Sequence, residues 1–510
     1  MNNNIFNLDW DWDKEIIFNL DGENELLPAD KLDRRRYAEY LYFYLKENGS
    51  KNNTVINLNA EWGAGKTFFV KRLYSSLKDK HPCIYIDAWK QDYSDDPFLT
   101  LFSSLISQIE HYSGRIDSRL IRIGDSIGRF TKGVIPEILS GLLKNYAGIE
   151  NISDIAKSAA TLMLKEHQEK SNAIITLKKE LVFWAKMSFD KGYDAPIFIF
   201  IDELDRCRPN YAVSLLEIVK HIFNIDKFVF VISTDTNQLQ HSIKNIYGSG
   251  FGANDYLGRF FHRRFSLKEP DFNGLIDERV KNRISEKDFR SLTSQIIPRP
   301  SDIQHISKNL SSIYRAFSLN LRDSIRNTDR LFDLINNNSF NKHIDYIALI
   351  ILMVFYDKSP DLVEKISGKS LNIEKFEDTI LNNEKIKNFG ISTLKLTLDL
   401  SYNNINIGKY YIRKANRTVV EIHNSFETEE VEIPSREYIK SFKHFIENIH
   451  SAIEIKQSTK KNIYLTIGEN ATNIEKLNIN YGAILESNNP IRVYEIISYL
   501  NFIELAVSFD

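Results

Sequence analysis

Ala60-Glu61-Trp62-Gly63-Ala64-Gly65-Lys66-Thr67 is the stretch from which the rest of the chain can be read. It follows a short apolar strand pattern (Val55, Ile56, Leu58) and runs into a helix pattern (Phe68, Phe69, Val70, Leu73, Leu77). A glycine-rich turn between strand and helix gathers backbone N–H groups into one concavity. The positive end of the helix dipole lies behind them, so the turn is built to hold a polyphosphate. Lys66 supplies a mobile positive charge for the β- and γ-phosphates, and Thr67 a hydroxyl for Mg²⁺. Gly63 and Gly65 allow a close backbone approach that a side chain would block. The spacing matches G-x-x-x-x-G-K-[ST] except at Ala60, which replaces the first glycine and resists positive φ. Gly63, Ala64, Gly65, Lys66, Thr67 and Phe68 are the expected nucleotide-binding residues.

A second motif follows far along the chain. Pro196-Ile197-Phe198-Ile199-Phe200-Ile201 is a continuous apolar run ending at Asp202-Glu203. Such a run suits a central parallel strand covered on both faces, and carboxylates at its C-terminal end lie where open α/β sheets bind ligands. Asp202 is then placed to hold Mg²⁺ through water. Glu203 is the expected general base or orienter of an attacking water. The alternative is two solvated acids capping the next helix.

Composition fits a soluble protein of two to four domains. The 510 residues carry 66 Lys+Arg against 68 Asp+Glu, a formal net charge of −2, so no global attraction to nucleic acid or anionic membrane follows. The two cysteines, Cys83 and Cys207, have no zinc-like spacing and suit a reducing compartment. Met1-Asn2-Asn3-Asn4 lacks the basic and apolar regions of a signal peptide, and a cytoplasmic location is expected. The apolar run Tyr346 to Tyr356 is too short to span a bilayer and reads as a buried helix.

Several stretches, in order, resemble the KAP family of P-loop NTPases. They are Asp30-Lys31-Leu32-Asp33-Arg34-Arg35 with Tyr37-Ala38, then the loop with its Trp62, then Ile86-Asp87-Ala88-Trp89-Lys90 with Asp95-Asp96-Pro97. Next come the acidic box Asp202-Glu203-Leu204-Asp205-Arg206-Cys207, Phe228 to Asp235, Tyr256-Leu257-Gly258-Arg259 and Leu321-Arg322-Asp323. Arg259 stands where the family usually has lysine. The resemblance covers roughly Asp30 to Asn336. It implies ATP as the nucleotide and a setting in bacterial or phage-linked biology, including defence against phage.

The expected fold is therefore α/β: a P-loop NTPase domain, a parallel sheet flanked by helices, with a helical insertion and a mixed α+β C-terminal domain. Residues 1–29 form a lead-in, 30–336 the NTPase domain and 337–510 the C-terminal domain. The insertion, at about 107–188, carries helix-period patterns such as Leu120, Ile123, Ile127 and Phe130. In many relatives this insertion spans the membrane. Here Arg115, Arg119, Arg122, Asp125, Arg129, Lys132, Glu137 and Lys144 interrupt every candidate span. A soluble hairpin that oligomerises or meets a partner, or a cap on its own domain, are the two readings. In the C-terminal region, Tyr411-Ile412-Arg413, Thr418 to Ile422 and Ile463 to Ile467 read as strands. His423, His444 and His450 fit no metal spacing.

Around the motifs the residues leave alternatives. Trp62 and Trp89 are expected to pack in core or loop rather than to touch the ligand, although Trp62 could also steer the loop or cover the nucleotide. At Ser233, Thr234 and Asp235, a γ-phosphate contact and a helix cap are equally open. Arg206 lies near the site's rim or a subunit edge and is counted with Glu203 and Lys66 as catalytic. Arg259, Arg263, Arg264 and Arg322 are further arginines for transition-state charge, or for surface ion pairs. The leading function is an ATP-hydrolysing, homo-oligomeric switch. The alternative is a nucleotide-gated scaffold that recruits an effector with little turnover, through the insertion or the C-terminal domain. A third reading is a nucleic-acid-stimulated motor or sensor; Arg259-His262-Arg263-Arg264, taken as one helix, speaks for it and the near-neutral charge against it.

Overall fold

In the computed structural model, residues 8–20, 22–94, 97–113, 181–222, 224–267, 273–284, 295–298, 300–337, 343–367, 380–399, 411–413, 419–421, 428–439 and 496–507 are described, with 175, 178, 179, 289, 292 and 293 between them. They fall into two compact units, Met1–Pro270 and Asp271–Asp510. Most of the expected insertion, the strand at Ile463 to Ile467, and His423, His444 and His450 lie outside the described residues.

The first unit is built on a parallel sheet of five strands: β3 (Thr54–Asn59), β4 (Cys83–Asp87), β5 (Ile197–Asp202), β6 (Phe228–Thr234) and β7 (Arg263–Ser266). Their spatial order is β4-β5-β6-β3-β7, and every neighbouring pair is parallel. Every residue of β5 and β6 is buried. Side chains alternate across a strand, so an uninterrupted apolar run needs cover on both faces. Ile197, Ile199 and Ile201 of β5, with Phe228, Phe230 and Ile232 of β6, turn to a core with Leu101, Leu105, Leu215 and Leu216. Phe198, Phe200, Val229 and Val231 turn to the other core, against Leu41, Leu45, Phe69 and Leu73. That second layer is supplied by helices α1 (Arg35–Gly49) and α2 (Lys66–Leu77).

The lead-in folds onto α2. An antiparallel hairpin, β1 (Ile16–Leu20) with β2 (Glu23–Leu27), follows Trp12. Trp12 is buried and donates its indole N–H to Ser76 Oγ at 2.9 Å. Arg72, also buried, donates to the carbonyls of Trp12 (3.0 Å), Pro28 (2.8 Å) and Lys14. One guanidinium thus satisfies three backbone acceptors that burial would otherwise strand.

The second unit contains helices Asn273–Arg283, Ile303–Ala316, Leu321–Asn337 and Tyr346–Lys358, with an antiparallel pair Thr393–Asp399/Thr428–Pro434. Tyr346 through Phe355 are all buried, as the unbroken apolar run predicts. Asp345 caps that helix, accepting from Ala348 N at 2.8 Å and from the Tyr438 hydroxyl at 3.0 Å. Tyr411–Arg413 pairs antiparallel with Val419–Glu421, so the alternating segments do form a hairpin. Among the described residues no helix is long and apolar enough to cross a membrane.

Candidate functional site

The loop 60–65 leaves the C-terminal end of β3 and enters α2 at Lys66. Gly63 and Gly65 take φ of 82° and 85°, which an L side chain resists. Ala60 does not adopt positive φ. Its methyl is buried and its amide donates to Thr234 O at 3.3 Å, so alanine serves where the pattern has glycine. Lys66 is buried, and its Nζ donates to the carbonyls of Ala60 (2.8 Å) and Glu61 (3.1 Å). The Phe68 ring turns away, packing edge-on against Trp12 and under the Arg72 guanidinium. From Phe68 the loop therefore gains only the backbone amide.

The acidic box closes on this loop. Asp202 ends β5, fully buried; its Oδ1 accepts from the Glu203 amide at 3.0 Å and its Oδ2 from the Tyr85 hydroxyl at 3.2 Å. Burial pushes the Asp202 carboxyl up, opposed by neighbouring donors that include Thr67 and Tyr85. Glu203 turns the chain with φ of 60° and accepts from the Thr67 hydroxyl at 2.8 Å. Arg206 Nε sits 2.5 Å from the other Glu203 oxygen, and its guanidinium lies 5.3 Å over the Trp89 ring. Burial, then the Asp202 charge, raise the Glu203 carboxyl, while Thr67 and Arg206 pull it down. Trp62 donates its indole N–H to Asp205.

Several pairings around the site have no local sign in the sequence. Arg34, buried, donates to Ala64 O at 3.1 Å and so grips the loop from the residue just before α1. Asn57, buried within β3, bonds Thr236 Oγ1 at 3.0 Å and Thr234 Oγ1 at 3.4 Å, and Asn59 Oδ1 accepts from the Thr236 amide at 2.9 Å. Two asparagines set among the apolar residues of the strand were the available signal. Asp235 is a cap: its Oδ1 accepts from Asn237 N (3.0 Å) and Gln238 N (3.4 Å) at the start of helix Thr236–Tyr247.

The basic cluster is not one helix. Arg259 follows helix Ala253–Gly258, while Arg263 and Arg264 belong to edge strand β7. His262 explains the break: its amide donates to Val55 O at 2.8 Å and its Nδ1 accepts from Val55 N at 2.9 Å, pulling the segment into the sheet. Arg263 lies 5.0 Å over the Tyr44 ring and Arg264 bonds Asn254 Oδ1 at 3.3 Å. Arg322 is an exposed residue of helix Leu321–Asn337 in the second unit.

A strand–loop–helix cradle with a Lys-Thr pair, facing two carboxylates at the end of a parallel strand, defines a P-loop NTPase. The chain belongs to the KAP family, whose P-loop domain matches residues 34–337. No curated protein matches it. Among solved structures, it is similar to the ORC2 protein of Aeropyrum pernix in its ADP form, at 13% identity and a TM-score of 0.32, over 70% of this chain and 82% of that one. It is also similar to Cdc6p from Pyrobaculum aerophilum, at 10% identity and a TM-score of 0.34, over 95% and 96%. A mutant RuvB of Thermotoga maritima matches at 11% identity and a TM-score of 0.28, over 70% and 86%. Scores this low carry no conclusion about function.

Proposed function

We propose that the chain hydrolyses ATP at this site and works as a homo-oligomeric switch. The observation that carries the reading is the 2.8 Å bond between Thr67 Oγ1 and Glu203 Oε1, which joins loop and acidic box across 136 residues of sequence. The residues present fit Mg²⁺·ATP. An added Cβ at Gly65 meets no protein atom within 4 Å, leaving the cradle's backbone open to a phosphate. Thr67 and Asp202 supply hard oxygen donors of the kind Mg²⁺ takes. Bound there, Mg²⁺ would offset charge on the β- and γ-phosphate oxygens. The loop's backbone N–H groups and Lys66 hold the phosphates, and the Glu203 carboxylate orients a water and accepts its proton. Arg206, ion-paired with Glu203, fixes where that carboxylate points.

The same ion pair favours a second reading. A base with one oxygen held by Thr67 and the other by Arg206 suits slow turnover, hence a nucleotide-gated scaffold that recruits an effector through residues 337–510 or the insertion. We take 30–336 as the NTPase domain and the cytoplasm as its location. The setting we propose, bacterial defence against phage, comes from family resemblance alone.

The test is steady-state ATP hydrolysis with Mg²⁺, with and without DNA or RNA, by wild type, Glu203→Gln and Lys66→Ala. Turnover in wild type, lost in Glu203→Gln with ATP still bound, and binding lost in Lys66→Ala, is the expected result. Binding without turnover in wild type moves the reading to the scaffold. Undiminished turnover in Glu203→Gln removes Glu203 as base, and a steep, salt-sensitive rise with nucleic acid promotes the motor.

A further inference from the structure

The acidic box is longer than hydrolysis requires, and its third carboxylate has its own geometry. Asp205 is 6% exposed. One of its oxygens accepts the Trp62 indole N–H; the other, Oδ1, is buried with no hydrogen-bond partner among the described residues. Trp62 sits in the middle of the phosphate loop yet the residue is 43% exposed, so little hydrophobic burial holds it. The flanking Gly63 and Gly65 give the loop backbone no stiffness of their own. Apart from the Lys66 and Ala64 bonds within the loop, and the Thr67 bond to Glu203 where it enters α2, the ties that fix it among the described residues are Ala60 N to Thr234 O, Arg34 to Ala64 O, and Trp62 to Asp205. Only the last reaches the acidic box from the loop's own crown, residues 61–63.

We propose that Asp205 is a positioning residue for nucleotide binding, acting through the Trp62 indole to hold the phosphate loop in its cradle. The proposal rests on the site binding nucleotide as described above. The box then divides its labour within four residues: Asp202 and Glu203 face the chemistry, and Asp205 fastens the loop. A tie to a charged acceptor is stronger than one between neutral groups. Breaking it from the Trp62 side leaves a buried carboxylate with neither oxygen partnered. The affected quantity is nucleotide affinity, because the tie holds the phosphate cradle and makes no hydrogen bond to Glu203. The Asp205 charge does help raise the Glu203 carboxyl, so Trp62→Phe, which keeps that charge, reads the tie alone.

The experiment is calorimetric titration of the full chain with ATP and Mg²⁺, together with kcat and KM, for Trp62→Phe, Asp205→Ala, Asp205→Asn and the double variant Trp62→Phe/Asp205→Ala. Trp62→Phe and Asp205→Ala should each weaken binding about ten-fold, with kcat at saturation near wild type. The double variant should lose no more than the worse single variant, since both remove one bond. Asp205→Asn keeps an acceptor oxygen and should recover most of the affinity. Fully additive losses, or a lowered kcat with unchanged KM, overturn the clamp. If Asp205→Ala fails to fold, Trp62→Phe and Asp205→Asn decide: wild-type affinity in Trp62→Phe overturns the clamp. A wild type that binds no better than Lys66→Ala overturns the site itself, and the clamp with it.

Discussion

Replacing Gly65 with alanine separates two costs that usually arrive together. Gly65 precedes α2 with φ of 85° and ψ of 27°, in the left-handed region. An L residue there costs about 1–2 kcal/mol in backbone energy. Steric cost is absent, because the new Cβ meets no protein atom within 4 Å. Stability should therefore fall by about 1–2 kcal/mol and no more, a loss of a few degrees in Tm. What the methyl does meet is the phosphate that the proposed function brings against this backbone. ATP affinity should fall at least ~10-fold, more than a ligand-remote change of equal stability cost would cause. Urea unfolding and ATP titration on the same preparation read the two effects. Unchanged ATP affinity in a variant destabilised as expected would refute the placement of the phosphates at this turn. A stability loss well beyond ~3 kcal/mol would refute the claim that the turn is free of steric contact.

Three further outcomes follow from packing and titration. His81 is buried between the Tyr42 hydroxyl (3.0 Å) and Asp194 O (3.0 Å), and burial holds its imidazole down at about 4 against an ordinary 6.5. The unfolded chain then binds the extra proton between those values, so stability is full above about pH 6.5 and is lost as pH falls toward 4. The loss is of order 3 kcal/mol, and urea midpoints at pH 7 and 4.5 should show a smaller difference in His81→Gln than in wild type. Arg72→Leu strands the carbonyls of Trp12, Lys14 and Pro28, and should cost about 3 kcal/mol or more in urea unfolding; a loss under ~1 kcal/mol would mean water replaces the guanidinium. Phe200→Ala opens a cavity in the core between sheet and α2, for a loss of about 3–5 kcal/mol by the same measurement.

The loop and the acidic strand were legible because their chemistry is contiguous: a turn needs its glycines in a row, and a strand covered on both faces needs apolar residues in a row. Tyr346 to Phe355 was legible for the same reason. What fastens these pieces was not, because Arg34, Asn57 and Asp205 meet their partners across 30, 179 and 143 residues with nothing local to mark the pairing. The arginine cluster misled for a related reason. Its spacing permits a helix, but the backbone of His262 is already committed to Val55 in the sheet. The lead-in was read as little more than an entry, since nothing near Arg72 announces that its guanidinium will collect three carbonyls from it.

Strand β6 stands between the strand that launches the phosphate loop and the strand that ends in the acidic box. Neighbouring strands lie about 4.8 Å apart, so β3 and β5 end about 10 Å from each other. A sheet with the two side by side would halve that gap. β6 thus acts as a gauge block, setting the jaw width of the site by its mere presence. Because Ala60 leans on Thr234 at its tip, a bulge or slip in β6 would open or narrow those jaws without altering any residue of either motif.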